Sequence, residues 1–328
     1  MGRTAYVNEF TEGMAVSEVF VLESKSLGTT RGGKPYLTLV LRDKTGRIEA
    51  KVWDEADTVN AQLGAAQFVH VNGSIESYNN RLQLKVAHLA VKREQDVALD
   101  ELTATSARDP DEMFDELRAI GRTVKEPHLL ALLGAFFNDD SFVERFKASP
   151  ASKTIHQSYA GGLLEHTLSV TKIVAFLVEH YAELSGGRGL NRDLVITGAI
   201  LHDIGKVAEL ERGVAHGYTR PGYLIGHIVL GYRMVEERIA EIDGFPQALR
   251  EQLEHIMLSH QGKLEWKSPV VPMFTEAILL HYVDDLDAKV HHVADAIANA
   301  ADPEAEFTGW DRILERFFYT KVEGPAKK

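Results

Sequence analysis

The chain has 328 residues, 45% hydrophobic and 26% charged, the balance of a soluble globular protein with room for two or three domains. It has no cysteine, which excludes disulfides, thiolate zinc sites and iron–sulfur clusters. The net charge of −12 argues against bulk electrostatic coating of nucleic acid, and without a membrane-length apolar run or an apolar leader in MGRTAYVNEF the expected setting is cytoplasmic, with no membrane partner.

The charge is unevenly spread. Residues 1–95 hold 12 Lys and Arg against 11 Asp and Glu, whereas residues 96–328 hold 24 against 37. A near-neutral module precedes a strongly acidic one, so contact with nucleic acid is more easily placed on the first.

Residues 16–93 read as strands. VSEVFVLESKSLGTT ends at the turn residues Arg31, Gly32 and Gly33. KPYLTLVLRD alternates, with Leu37, Leu39 and Leu41 on one face, and Asp43 to Gly46 turn the chain into RIEAKVW. A short helix, DEADTVNAQL, precedes QFVHVNGSIES and RLQLKVAHLAVK, which hinge on Asn79 and Asn80. Five strands with a helix between the third and fourth is the order of an OB-fold, a Greek-key barrel that often binds oligonucleotides; an SH3-like or other small barrel is the alternative. On such a barrel Tyr36, Trp53 and Tyr78 are candidates to stack bases, with Lys25, Arg31, Lys34, Lys51, Arg81 and Lys85 near phosphates. Tyr36 and Trp53 suit the barrel core equally well.

Residues 94–110 are polar and acidic and read as a linker. DPDEMFDELRAIGRTV then starts a helix behind Asp109 and Pro110, and EPHLLALLGAFFND and SFVERFKAS continue the helical pattern. Longer helical patterns lie near 162–184, 191–207, 222–241, 246–260 and 272–300, with a shorter one near 309–318. Gly186, Gly187 and Gly189 mark one loop and Gly213 and Gly217 another. The expected chain is multi-domain α+β: a five-stranded OB-fold barrel over 1–95, a linker and helical segment over 96–150, an all-α domain over 151–320 and a tail over 321–328. Apolar helices outside any site make a homo-oligomer an open expectation.

The helical half carries histidines and aspartates where a buried helix face should be apolar: His166, His202 beside Asp203, His227, His255, His260 and Asp284. Burying so many imidazoles and carboxylates is unfavourable unless something offsets their desolvation. Imidazole and carboxylate without thiolate suit Mn, Fe, Co, Ni or Zn. Adjacent residues on a helix point about 100° apart, so His202 and Asp203 reach one ion only near a helix end, or with the carboxylate bridging two. His166, His202, Asp203 and Asp284 would hold a first ion, and Asp203, His227, His255 and His260 a second. Two such ions lower the pKa of water and clamp a phosphoryl oxygen, the chemistry of phosphoester hydrolysis. Asp203 and Lys206 are the candidate catalytic residues: Lys206 falls one turn after His202 and either stabilises charge on the phosphate or acts as a helix-terminal cation.

The order His166, His202-Asp203 in HDIGK, then Asp284 resembles the HD-domain metal-dependent phosphohydrolases, and His227, His255 and His260 resemble the additional ligands of dinuclear members. GGLLEHTLSV, LHDIGKV, LSHQG, Ser268-Pro269 and HYVDDLDAK behind an OB-like barrel are similar to the YhaM-type 3′→5′ exoribonucleases, across roughly residues 16–320. The resemblance implies an HD domain over 151–320, two divalent ions with manganese foremost, and trimming of single-stranded RNA, and often single-stranded DNA, from the 3′ end. Gln157 and Gln261 stand where many relatives carry histidine, which implies that neither is an obligatory ligand. The rival functions are an HD-type nucleotide or cyclic-dinucleotide phosphodiesterase and a non-catalytic nucleic-acid-binding factor. Around the site, Asp287 reads as a supporting carboxylate, Asp285 as solvated, His281 as core, His291 and His292 as surface, His156 as a phosphate or supporting contact, and Arg220 as a phosphate contact.

Overall fold

The computed structural model describes residues 3–78, 81–103, 105–152, 159–183, 189–211, 217–298, 300 and 304–322. Asn79, Asn80, His156, Gln157, Gly186, Gly187, Gly213 and most of the expected tail lie outside the described residues. The chain divides into two compact units, one made chiefly of residues 1–105 and the other starting at Ser106. Among the described residues no helix is long and apolar enough to cross a membrane.

The first unit is a closed five-stranded barrel in the order β1-β2-β3-β5-β4. Its strands are β1 (Ala15–Thr29), β2 (Pro35–Arg42), β3 (Arg47–Val52), β4 (Phe68–Tyr78) and β5 (Arg81–Lys92), with α1 (Ala56–Leu63) between β3 and β4. β1 is long enough to serve two neighbours. Its first half pairs with β4 and its second with β2, with a register shift between Leu22 and Ser24. β3 and β5 close the barrel in parallel, Ala50 opposite Leu84. This is the OB-fold topology. Alternation places Leu37, Leu39 and Leu41 inside with Phe20, Val69, Val71 and Leu84, all fully buried. Residues 94–101 contain two 3-10 turns, and the buried Leu102 packs with Val21 and Phe68.

The second unit is mostly helical. It contains α2 (Pro110–Gly121), α3 (Pro127–Phe137), α4 (Asp140–Ala148), α5 (Gly162–His180), α6 (Arg192–Leu201), α7 (Lys206–Glu209), α8 (Arg220–Leu224), α9 (His227–Ile239), α10 (Gln247–Ser259) and α11 (Thr275–Ala298). Local chemistry starts these helices. Asp109, Glu126, Asp139, Asn191 and Thr219 each accept a backbone N–H of the first turn, and Pro110, Pro127 and Pro221 occupy first-turn positions. α5 packs against α2, α4, α6 and α11, and α6 also against α10, around a core that includes Leu164, Leu168, Ile196, Ile200, Ile256 and Leu280.

Three helical expectations are revised. The run expected at 191–207 stops at Leu201 and turns before α7. The run expected at 222–241 is interrupted at Ile225-Gly226, where Gly226 has a φ of 81°. Residues 309–318 do not form a helix; bridges Phe307–Tyr319 and Asp311–Arg316 fold them back on themselves. Asp311 accepts the N–H groups of Ile313 and Leu314, and Glu315 has a φ of 51°. Side-chain capping and a left-handed residue favour a turn over a helix.

Truncating Leu39 to Ala is expected to destabilise the barrel by about 2–5 kcal/mol, read by urea denaturation, while Leu82→Ala on the exposed barrel surface stays within about 0.5 kcal/mol.

Candidate metal centre

Five segments deliver the polar residues. On α5, His166 interrupts a buried face formed by Leu163, Leu164, Val170 and Val174. α6 ends at Leu201 with His202 as its C-cap, and Asp203 follows in the turn. That helix end lets two neighbouring side chains converge, as the adjacent His and Asp require. His227 opens α9, His260 caps the end of α10, and Asp284 lies in the first half of α11.

Their donor atoms form two groups, His166, His202, Asp203 and Asp284, and Asp203, His227 and His260, each with its donor atoms within 4.8 Å of one another. Asp203 belongs to both and gives one oxygen to each. Its Oδ2 lies 3.6 Å from His166 Nε2 and 3.4 Å from His202 Nε2. Its Oδ1 lies 3.4 Å from His227 Nε2 and 3.7 Å from His260 Nε2. Asp284 Oδ1 completes the first group, 3.1 Å from His166 Nε2 and 3.7 Å from His202 Nε2.

The imidazoles are oriented from behind. His166 Nδ1 is 2.8 Å from Asp287 Oδ2, His202 Nδ1 2.8 Å from the Ala199 carbonyl, His227 Nδ1 3.2 Å from Glu209 Oε1 and His260 Nδ1 2.7 Å from the Met257 carbonyl. A carbonyl only accepts, so Nδ1 of His202 and of His260 carries the proton and Nε2 is turned to the centre. His202 Nε2, His227 Nε2, His260 Nε2 and Asp203 Oδ1 are buried without a hydrogen-bond partner. Buried polar atoms are seldom left this way. Imidazole nitrogens held from behind by carbonyls and carboxylates are the arrangement of metal ligands, so the donor set fits divalent cations.

The charges agree with that assignment. Burial would raise the Asp203 carboxyl, but Lys206 Nζ at 2.5 Å and His202 hold it well below the usual carboxylate range. Burial opposes ionisation of Asp284 too, and His166 and His202 override it. Burial would lower His202, yet Asp203 and Asp284 push it up to about 10. Burial and the neighbouring His202 push His260 down to about 4.

His255 does not join either group. It precedes His260 by five residues, about 140° around a helix. Its Nε2 instead accepts the Met273 N–H at 3.0 Å, and its ring lies against Phe274. Lys206 sits on the shared carboxylate itself, at the start of α7. Glu209 escaped the sequence reading; its Oε1 accepts both the backbone N–H and the Nδ1–H of His227. The one signal for it was an acid among apolar neighbours, four residues beyond Gly205. Asp287 supports His166 and also accepts from Ser169 Oγ. His281 is buried and donates from Nδ1 to the His260 carbonyl. Asp285 pairs with Lys289, and Arg220 is exposed at the start of α8. His291 is partly buried, 3.7 Å from Asp287. His292 is not a surface residue; it is largely covered, 2.8 Å from Asp311. Gln261 follows His260 in the turn, half-buried.

On the barrel, Tyr36 and Trp53 lie outside the core with ring centroids 5.2 Å apart, and Lys51 Nζ sits 5.2 Å from the Tyr36 centroid. Lys51 is opposite Lys85 in the β3–β5 register. Lys34 pairs with Asp54, Lys85 with Glu76, and Lys25 donates to the Asn60 carbonyl. Arg31 is exposed in the β1–β2 turn, and Tyr78 and Arg81 are exposed at the β4–β5 end.

Comparison with known proteins matches the HD domain over residues 163–299 and the OB-fold nucleic acid binding domain over residues 18–91. A protein of Listeria monocytogenes named 3′-5′ exoribonuclease YhaM is 36% identical over 323 residues, covering 96% of this chain and 97% of its own. A protein of the same name from Geobacillus sp. is 34% identical over 314 residues, covering 94% and 93%. Another, from Bacillus velezensis, is 33% identical over 279 residues, covering 85% and 86%.

Gly205 lies where the chain after Asp203 passes α9. A Cβ there would collide with the His227 carbonyl oxygen and the Gly231 nitrogen. Gly205→Ala is therefore expected to displace His227 and weaken divalent-cation binding roughly tenfold or more, measured by calorimetric titration of Mn²⁺. Gly134→Ala, which meets only ordinary contact, serves as the control.

Proposed function

The chain belongs to the YhaM family of 3′-5′ exoribonucleases, and we propose that its barrel holds single-stranded RNA while its HD centre removes the 3′-terminal nucleotide. It is a metal-dependent hydrolase with an OB-fold nucleic-acid-binding domain and an HD domain. The observation that carries the finer proposal is the division of the Asp203 carboxylate, one oxygen toward His166, His202 and Asp284 and the other toward His227 and His260. That set supports two divalent ions, with Mn²⁺ the cation we propose. When bound, such ions lower the pKa of water and neutralise charge on a phosphoryl oxygen.

The remaining work falls to side chains. His166, His202 and Asp284 fix one side of the shared carboxylate, and His227 and His260 the other. Lys206 keeps its proton, since Asp203 and Asp284 outweigh the burial that would lower it. Its ammonium, beside the shared carboxylate, would hold an anionic oxygen of the scissile phosphate or protonate the leaving 3′-oxygen. Water adds to phosphorus, the bond to the upstream O3′ breaks, and a nucleoside 5′-monophosphate leaves with a shortened chain ending in a 3′-hydroxyl. Tyr36 and Trp53 with Lys51 offer the barrel a stacking face beside a cation, which suits single strands of any sequence, single-stranded DNA included.

The direct test is hydrolysis of a 5′-labelled single-stranded RNA with Mn²⁺. A ladder shortening from the 3′ end, lost in EDTA and in His202→Ala/Asp203→Ala while RNA binding persists, is the expected result. Intact RNA under conditions that cleave bis-p-nitrophenyl phosphate would replace this function with a small-nucleotide phosphodiesterase. Trp53→Ala is expected to weaken RNA binding in EDTA by about 1–3 kcal/mol, measured by fluorescence anisotropy of a labelled oligonucleotide.

A further inference from the structure

We propose that Trp266, Lys263 and Lys289 form a second single-strand subsite, within the HD unit and beside the metal centre, that stacks a base of the substrate and holds its phosphate. The proposal rests on the exoribonuclease reading and names contacts that lie outside the ligand set.

Position comes first. The loop leaving α10 begins at His260, a ligand residue, and reaches Trp266 through Gly262. His281 on α11 donates to the His260 carbonyl at 2.9 Å, and its ring fills the space that a Cβ on Gly262 would need. The Trp266 ring lies 6.2 Å from the His281 ring. Trp266 is thus one side chain removed from the backbone of a metal ligand. Lys289 comes from α11, one turn beyond Asp285, with which it pairs, and its ammonium is 5.6 Å from the Trp266 centroid. Lys263 lies closer, at 4.3 Å.

The loop is held in shape. Leu264–Trp266 form a 3-10 turn, the Trp266 and Ser268 N–H groups both donate to the Lys263 carbonyl, and Lys267 has a φ of 69°. Ser268 is buried, with Oγ donating to the Val270 carbonyl at 2.7 Å and lying 3.2 Å from the Leu258 carbonyl. A tryptophan fixed on such a loop with 39% of its surface exposed offers a π-face at little cost in ordering.

Charge points to the ligand. Residues 96–328 carry 37 acidic against 24 basic side chains, yet this loop presents Lys263 and Lys267 against Glu265 alone. Among the described residues neither lysine has an ion-pair partner, whereas Lys289 is 2.6 Å from Asp285. An exposed indole flanked by two ammonium groups suits one base and one phosphate, and it does not distinguish sequences because every base has a π-face. The barrel carries the same combination in Tyr36, Trp53 and Lys51.

The test uses the full chain with Trp53→Phe and Trp310→Phe, leaving Trp266 as the sole tryptophan. A five-nucleotide oligoadenylate titrated in EDTA is expected to quench its fluorescence. Lys263→Gln/Lys289→Gln is expected to weaken that binding about fivefold or more. In the otherwise native chain with Mn²⁺, Trp266→Ala should raise KM for the same oligonucleotide about tenfold, within the range of a lost stacking contact, and Trp266→Phe should restore it. Absence of quenching, or an unchanged KM in Trp266→Ala while the parent shortens RNA, overturns the proposal. An equal fall in hydrolysis of bis-p-nitrophenyl phosphate, which carries no base, also overturns it by showing a structural role. A parent enzyme that cleaves bis-p-nitrophenyl phosphate and leaves RNA intact overturns the exoribonuclease reading instead, and the quench in EDTA still reports whether the subsite binds.

Discussion

The helical unit is organised around one buried carboxylate. Asp203 is almost wholly removed from water, faces four imidazole nitrogens and touches the ammonium of Lys206. A lone carboxylate could not be kept ionised there, because its desolvation would drive protonation. Keeping it charged requires donors from several directions, and no single helix can supply them. The turn after α6, the beginning of α9, the end of α10, the second turn of α5 and the first half of α11 must all arrive at one point. Much of the packing follows from that requirement, including the missing side chain at Gly205 that lets α9 approach. The supporting acceptors, Asp287, Glu209 and the carbonyls of Ala199 and Met257, then fix which nitrogen of each ring faces inward.

How much of this was legible in the sequence depended on how local the signal was. The His202-Asp203 pair is a contiguous motif whose geometry nearly dictates a helix end, and the structure has one. His166 and Asp284 were legible because each interrupts an apolar helical face. His255 was misleading for the same reason that His260 was convincing: both lie in one short histidine-rich stretch. Five residues of helix put them on different faces, and only one face meets Asp203. Glu209 was invisible because a supporting carboxylate is defined by what it touches, and its partner His227 lies 18 residues away. The segment 309–318 shows another limit. Its alternation of charged and apolar residues fits a helix, but Asp311 satisfies two backbone N–H groups locally and the aromatic ends pair instead.

The barrel was more legible, since period-two alternation fixes the inside of every strand at once. Leu37, Leu39 and Leu41 define the interior of β2. Extending the same alternation by one residue places Tyr36 outside. Val52 is buried in β3, so Trp53 follows to the outside as well. Taken singly, the two rings suit a core as well as a surface; their strand neighbours settle the face.

The same outward aromatics bear on how an acidic protein can hold a polyanion. At a net charge of −12, long-range electrostatics oppose the approach of RNA to the protein as a whole. Affinity must then come from short-range contacts that survive screening. Stacking on a fixed ring meets that requirement, and a lysine beside the ring adds a phosphate contact where a Debye length of about 8 Å leaves distant charges irrelevant. Tyr36 and Trp53 with Lys51, and Trp266 with Lys263 and Lys289, are the contacts we propose for that role. Its further property is indifference to sequence. A stacking platform accepts each new base as well as the last, so a chain held this way can be shortened one nucleotide at a time without a register that must be found again after each cut.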